Sequence, residues 1–231
     1  MQHSTKRILT THAGSLPRPA ELAGMFAHLS RREPIDRAAM DHAIETATRN
    51  VIRQQLECGI DVGNNGEQPR ESFFTYVQHR MSGFGGRSER PRFKDIWQFP
   101  SFAARLSAAF ASNSSMVDLL HAPKALGPVR YVNREPLERE CDDYLRIASE
   151  LQPGFSESFM TAPSPGIIAA AMLNEHYPSI EDYVMALADA LRVEYEAIVA
   201  RGMVLQIDAP DLGWSVMSPT ATVGSRIFRS S

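Results

Sequence analysis

Cysteine is scarce in this chain, with two among 231 residues. Cys58 and Cys141 lie far apart in helix-like stretches, which excludes a disulfide scaffold and suits a reducing compartment, the cytoplasm. No Cys-x-x-Cys, His-x-Cys or His-Glu-x-x-His spacing occurs, so a zinc site built from this chain alone is not expected. Both cysteines read as small buried hydrophobes. Long apolar runs are missing too: none approaches the roughly 20 residues of a membrane span, and the stretch after the N-terminal Lys6-Arg7 is too short for a signal peptide. Charge of one sign is not in excess, since 24 basic and 27 acidic residues are interspersed for a net charge of -3. A polyanionic partner such as nucleic acid is therefore not indicated. Internal repeats and low-complexity tracts are absent, and the Gly83-Phe84-Gly85-Gly86 cluster lacks the spacing of a dinucleotide or phosphate loop and reads as a flexible turn.

What the chain does have is ordinary globular composition, 43% hydrophobic and 22% charged, enough for a sizeable core. Short strand-like runs alternate with long helix-like ones, the order of βα units around a parallel sheet. Five runs read as strands: Arg7 to His12, Ile60 to Asn64, Ala125 to Val132, Glu157 to Thr161, and Met203 to Asp208. Ser179 followed by Asp182 forms a capping box for a helix from about Ile180 to Arg201, with Tyr183, Leu187 and Leu191 on one face and Gly202 at its stop. Ile44, Ala47, Val51 and Leu56 mark a second helix, and Pro136 to Gln152 a third, ended by Pro153-Gly154. Residues 68–113 read as an insertion over the mouth of a barrel. After Asp211 the pattern fails, and residues 213–231 read as an irregular, Ser/Thr-rich tail without an acidic residue. The expected fold is α/β, a partial (β/α)8 TIM barrel with about five of its eight units in residues 1–212. An open barrel exposes apolar edge, which implies self-association.

Three strand ends hold the candidate chemistry. Thr11-His12-Ala13-Gly14-Ser15-Leu16-Pro17-Arg18-Pro19 offers the Ser15 hydroxyl and N–H to an anionic group, with His12 lining the pocket, and reads equally as a strand-to-helix turn. In Asn64-Asn65-Gly66-Glu67-Gln68-Pro69-Arg70, Glu67 can present a carboxylate to an ammonium group or shuttle a proton, or be a solvated loop acid. An apolar strand delivers Asp208 in Gln206-Ile207-Asp208-Ala209-Pro210-Asp211, either as a pocket carboxylate or as a turn-former beside Pro210. His28, His42 and His79 fall in helical stretches and read as surface or packing residues.

Five segments carry a family resemblance: THAGSLPRP, GIDVGNNGEQPRESFFTYVQHRMSGFGG, LGPVRY, FMTAPSPG and YPSIEDYVMALADALRVEYEAIVARGMVLQIDAPDL. In this order they resemble the catalytic C-terminal barrel of the cobalamin-independent methionine synthase family, in its shorter single-barrel branch, over most of residues 7–212. The resemblance implies the β/α barrel of the uroporphyrinogen decarboxylase/methionine synthase-like superfamily. It also implies methyl transfer from 5-methyltetrahydropteroyltri-L-glutamate to the homocysteine thiol, giving methionine, with zinc holding the thiolate and no cobalamin. By match, Ser15 takes the amino-acid carboxylate, and Glu67 and Asp208 the ammonium group. Two departures stand out. Asn65 replaces the first residue of the family's Asp-Gly-Glu. The family's zinc ligands lie on strands past the fifth, which places them beyond Ser231, so tight zinc binding is not expected and the chain reads as truncated. Epoxyalkane–coenzyme M transferases share the GFGG and APSPG segments, and there Arg18 or Arg70 would serve a sulfonate. A non-catalytic fragment is the remaining alternative.

Overall fold

The computed structural model describes residues 2–31, 33–88, 98–112 and 122–214. Helices α1 (Ala20–Ser30) and α2 (Arg37–Glu57) open the chain. They are followed by β1 (Val62–Gly63), a 3-10 turn over Thr75–His79, and β2 (Met81–Gly85). After α3 (Pro100–Ser112) come β3 (Lys124–Tyr131), α4 (Glu135–Glu150), β4 (Glu157–Pro163) and α5 (Pro165–Ala171). Helix α6 (Ile180–Ala200), β5 (Val204–Asp208) and the short α7 (Asp211–Trp214) complete it.

The fold is α/β. Strands β1, β4 and β5 pair in parallel in that order, with Gly63 opposite Ser158 and Pro163 opposite Asp208. Helices α2, α4 and α6 cover the sheet through Ile52, Leu137, Cys141, Ile147 and Ile198, which bury a shared core with Met160 and Ala162 of β4. Burial of one aliphatic face per helix follows the four-residue spacing of its apolar positions. The capping box at α6 forms as the sequence predicts: the Ser179 hydroxyl accepts from the Asp182 N–H at 3.0 Å and meets the Asp182 carboxylate at 2.6 Å.

Two of the expected strands differ. Arg7 to His12 forms no regular strand; it lies beside β1, where the Thr10 carbonyl accepts from the N–H groups of both Asp61 and Val62. Arg7 and Asp61 are ion-paired across this junction, and the guanidinium, with the Thr10 N–H, holds the Asp61 carboxyl well below the usual range. The Ala125 to Val132 run is a strand, Lys124–Tyr131, but it pairs antiparallel with β2 outside the parallel sheet. One face of this ribbon is open, with Leu126 half-exposed, which suits an antiparallel pair and not a strand buried on both sides. Its partner is the glycine cluster, so Gly83 to Gly85 are strand and not turn. A bulge falls between Ser82 and Phe84, and a Cβ at Gly83 would meet the carbonyl oxygens of Gly127 and Pro128 at 2.7 Å, so only glycine fits. Cys58 also departs from expectation: it caps the end of α2 and is exposed, because it falls past the last turn that the sheet covers. Cys141 is buried in α4 as expected, and burial pushes its thiol up to about 12. No described helix is long and apolar enough to cross a membrane. Residues 89–97 and 113 of the expected insertion lie outside the described residues, as does the expected tail from Ser215 to Ser231.

Candidate functional site

The loop after β1 is built around two consecutive residues in the left-handed region, Gly66 at φ 61° and Glu67 at φ 57°. A glutamate pays a steric penalty there, so its surroundings must hold it. They do so from three sides. The Asn65 side-chain oxygen accepts from the Glu67 N–H at 2.9 Å, and the Glu67 carbonyl accepts from the Arg18 guanidinium at 2.7 Å and the Arg70 N–H at 3.1 Å. The conformation points the Glu67 side chain inward, where it is fully buried.

This loop is stitched to the first candidate segment. The Leu16 N–H donates to the Gly66 carbonyl at 3.1 Å, and the Gln68 amide donates to the Leu16 carbonyl at 3.0 Å. His12 Nε2 lies 2.9 Å from Asn64 Oδ1, which also accepts from the Gly66 N–H at 2.8 Å. An amide oxygen can only accept, so Nε2 is the donor of this pair, and Nδ1 has no partner among the described residues. Ser15 sits exposed in the same segment, one residue from the Leu16 anchor.

From β4, the Thr161 hydroxyl donates to Glu67 Oε1 at 2.9 Å. Two residues on, Pro163 pairs with Asp208 at the end of β5, and the Asp208 carboxylate is close enough to raise the Glu67 carboxyl. Burial is the main cause of that rise; Arg70 and the Thr161 hydroxyl oppose it, and Asp208 and Glu140 add to it. Asp208 is half-buried and accepts from the Gln206 side chain at 2.9 Å. Asp208 is thus near enough to act on Glu67, His12 is bonded to the same loop through Asn64, and Ser15 is carried beside that loop by its neighbour Leu16.

Buried side-chain atoms without a hydrogen-bond partner among the described residues are concentrated here. They are His12 Nδ1, Arg18 Nε, Asn64 Nδ2, Glu67 Oε2 and Gln68 Oε1, with Thr48 Oγ1 on α2 the exception. Buried polar atoms are ordinarily paired, so such a concentration marks a place built to receive polar groups.

Behind the rim lies a network that sequence reasoning missed. Arg70 donates to Glu140 at 2.8 Å and, through its two terminal nitrogens, to the Thr161 hydroxyl at 3.0 Å and carbonyl at 2.9 Å. Arg80 reaches Glu140 at 2.5 Å and Glu194 at 3.1 Å, and Glu194 also accepts from the hydroxyls of Tyr76 and Tyr131. The Tyr76 ring lies 4.4 Å from each guanidinium. Burial pushes the Glu140 carboxyl up, but the two guanidiniums outweigh it and bring it to about 2. Asn65 joins the network by donating to Glu140 at 2.9 Å. Arg70 is 1% exposed and fully engaged, so it is not available to a sulfonate as the sequence suggested. Among the other histidines, His28 pairs with Glu33 at 2.5 Å and His79 with Glu71 at 3.2 Å, and His42 is exposed on α2.

The implied zinc does not fit these residues. Among the described residues no three of His, Cys, Asp and Glu come together to hold a metal ion. Cys58 is exposed at a helix end, and the Cys141 thiol faces the core between helices and sheet.

No family model matches the chain. Curated proteins do: a methionine synthase of Sulfolobus acidocaldarius is 24% identical over 217 residues, 90% of this chain and 56% of that protein. One from Pyrococcus furiosus is 25% identical over 202 residues, 87% of this chain and 51% of that protein. Among solved structures, a B12-independent methionine synthase from a Shewanella species, in complex with selenomethionine, superimposes with a TM-score of 0.62 at 21% identity, covering 90% of this chain and 53% of that one. The chain spans about half the length of the curated relatives it matches. In sequence it is a homologue of the methionine synthases, and in fold it resembles the B12-independent enzymes.

Proposed function

We propose that this chain provides the amino-acid-binding part of a thiol methyltransferase of the cobalamin-independent methionine synthase type. Its parallel strands and the extended Arg7 to His12 segment form the first part of a β/α barrel. Homocysteine is the acceptor, and a methyltetrahydropteroyl-polyglutamate is the methyl donor. The ammonium group lies between Glu67 and Asp208, and Ser15 at the facing loop receives the carboxylate. The curated relatives' names support the reaction, and the chemistry of the rim supports the substrate.

One observation carries the reading: Glu67 is a fully buried carboxylate with an oxygen that no described residue satisfies, and a second carboxylate, Asp208, stands beside it. Burial beside a second acidic group disfavours the ionisation of Glu67 until a cation joins them. A primary ammonium supplies the charge and three N–H donors in a compact group. Its arrival stabilises the ionised form of Glu67, which burial disfavours.

The test is calorimetric titration of the chain with L-homocysteine and with the deaminated analogue, which keeps the thiol and carboxylate. Homocysteine is expected to bind at least roughly tenfold more tightly, the value of one charge-assisted contact. Equal affinity for the two would overturn the assignment of Glu67 and Asp208. The affinity for homocysteine falls as pH drops through the raised titration of Glu67, because the protonated carboxyl no longer attracts the amine.

A further inference from the structure

We propose that Thr161 is a positioning residue that transmits the orientation of the Arg70 guanidinium to the Glu67 carboxylate. Three observations converge on its hydroxyl. Arg70 donates to Thr161 Oγ1 at 3.0 Å and to the Thr161 carbonyl at 2.9 Å, so one side chain grips both polar groups of the residue. An oxygen that accepts from a guanidinium turns its own hydrogen away from it, and the hydroxyl donates to Glu67 Oε1 at 2.9 Å. Thr161 is 1% exposed and lies in β4, whose pairing with β5 fixes the backbone beneath it. The relay therefore has a direction: cation, hydroxyl, carboxylate. Arg70 is itself immobilised by Glu140 and the face of Tyr76.

The consequence is a carboxylate with one oxygen occupied and one presented. Glu67 Oε1 is held by Thr161, and Oε2 is the atom left open. The charged groups around Glu67 are Arg18 and Arg70, which favour its ionised form, and Asp208 and Glu140, which oppose it. Thr161 thereby selects which oxygen faces the ligand and keeps the ion from being fully disfavoured by burial. This inference rests on the reading of Glu67 as the acceptor of a substrate ammonium group.

The experiment has a ligand-free arm and a binding arm. Infrared titration of the Glu67 carboxyl, identified by difference against Glu67→Gln, is compared in the wild type, Thr161→Val and Thr161→Ser. Loss of the hydroxyl in Thr161→Val is expected to raise the titration by about one pH unit, and Thr161→Ser to restore it. Should Thr161→Val not fold, Thr161→Ala carries the same comparison. An unchanged titration overturns the proposal. In the binding arm, Thr161→Val is expected to weaken L-homocysteine about tenfold at neutral pH and to leave the deaminated analogue unchanged. Equal weakening of both probes would mean a general structural disturbance and also overturns it. Failure of wild-type homocysteine binding counts against the functional reading alone, because the titration still decides the role of Thr161.

Discussion

Two polar regions lie back to back in this molecule, both buried, and they are finished to different degrees. In the network of Arg70, Arg80, Glu140 and Glu194, all four carboxylate oxygens have partners: Arg70, Arg80, Asn65, Tyr76 and Tyr131 supply them. In the rim of His12, Arg18, Asn64, Glu67 and Gln68, each side chain keeps one buried atom without a partner among the described residues. Among the described residues Thr161 is the single hydroxyl that touches both. Burial alone does not separate structural from binding groups, since Glu194 and Glu67 are equally inaccessible. Completeness of hydrogen bonding does: the saturated side holds the fold, and the unsaturated side is the one we propose to bind a ligand.

The comparison makes opposite predictions for its two carboxylates. Glu194→Ala leaves the buried Arg80 and two tyrosine hydroxyls short of a partner, and a loss of about 3–5 kcal/mol is expected in urea denaturation. A loss under about 1 kcal/mol would show that the network is not holding the fold. Acid acts on the same side next. The Glu140 carboxyl titrates at about 2 in the fold against 4.5 ordinarily, so its contribution is fully present above the higher value and is lost as pH falls towards the lower one. The difference corresponds to a contribution on the order of 3 kcal/mol, and melting temperature followed from pH 5 down to pH 2 (roughly the span of the two values) reads it. A flat profile would contradict the charge pairing.

On the unfinished side the sign reverses. Glu67→Gln removes a carboxylate that folding desolvates without fully compensating, so stability is expected to hold or rise by about 1 kcal/mol while homocysteine binding is lost. A strongly destabilised Glu67→Gln would place Glu67 with the structural network. The surface provides the baseline: Arg139 and Asp41 pair at 3.2 Å with both side chains about half-exposed. Arg139→Ala is expected to cost no more than about 0.5 kcal/mol in the same denaturation assay.

Much of the scaffold was legible in the sequence, because helices announce themselves locally. The spacing of Tyr183, Leu187 and Leu191 and the Ser179 cap placed α6 to within a residue at each end. Strands β4 and β5 were equally plain, and Glu67 and Asp208 stand beyond or at strand ends, where the sequence places them. What stayed hidden depended on partners remote in the chain. Arg70 reads as a loop cation until Glu140 and Thr161, 70 and 91 residues away, surround it. The glycine cluster reads as a turn until β3 arrives to pair with it, and β3 itself carries nothing that says which sheet it joins.

Asn65 and Gly66 form the dipeptide most open to spontaneous deamidation, in which the glycine nitrogen attacks the asparagine side chain and ammonia departs. Here that attack is blocked at both ends. The Gly66 N–H is committed to Asn64, and the Asn65 amide is held between the Glu67 N–H and Glu140. Deamidation at Asn65 is therefore expected to be slower in the folded chain than in the unfolded one. Conversion to aspartate would set a carboxylate against Glu140 in place of a donor, so a chain that ages there once would return to a less settled loop. Mass spectrometry of stored protein, folded and in urea, reads this difference as a clock of how often the loop opens.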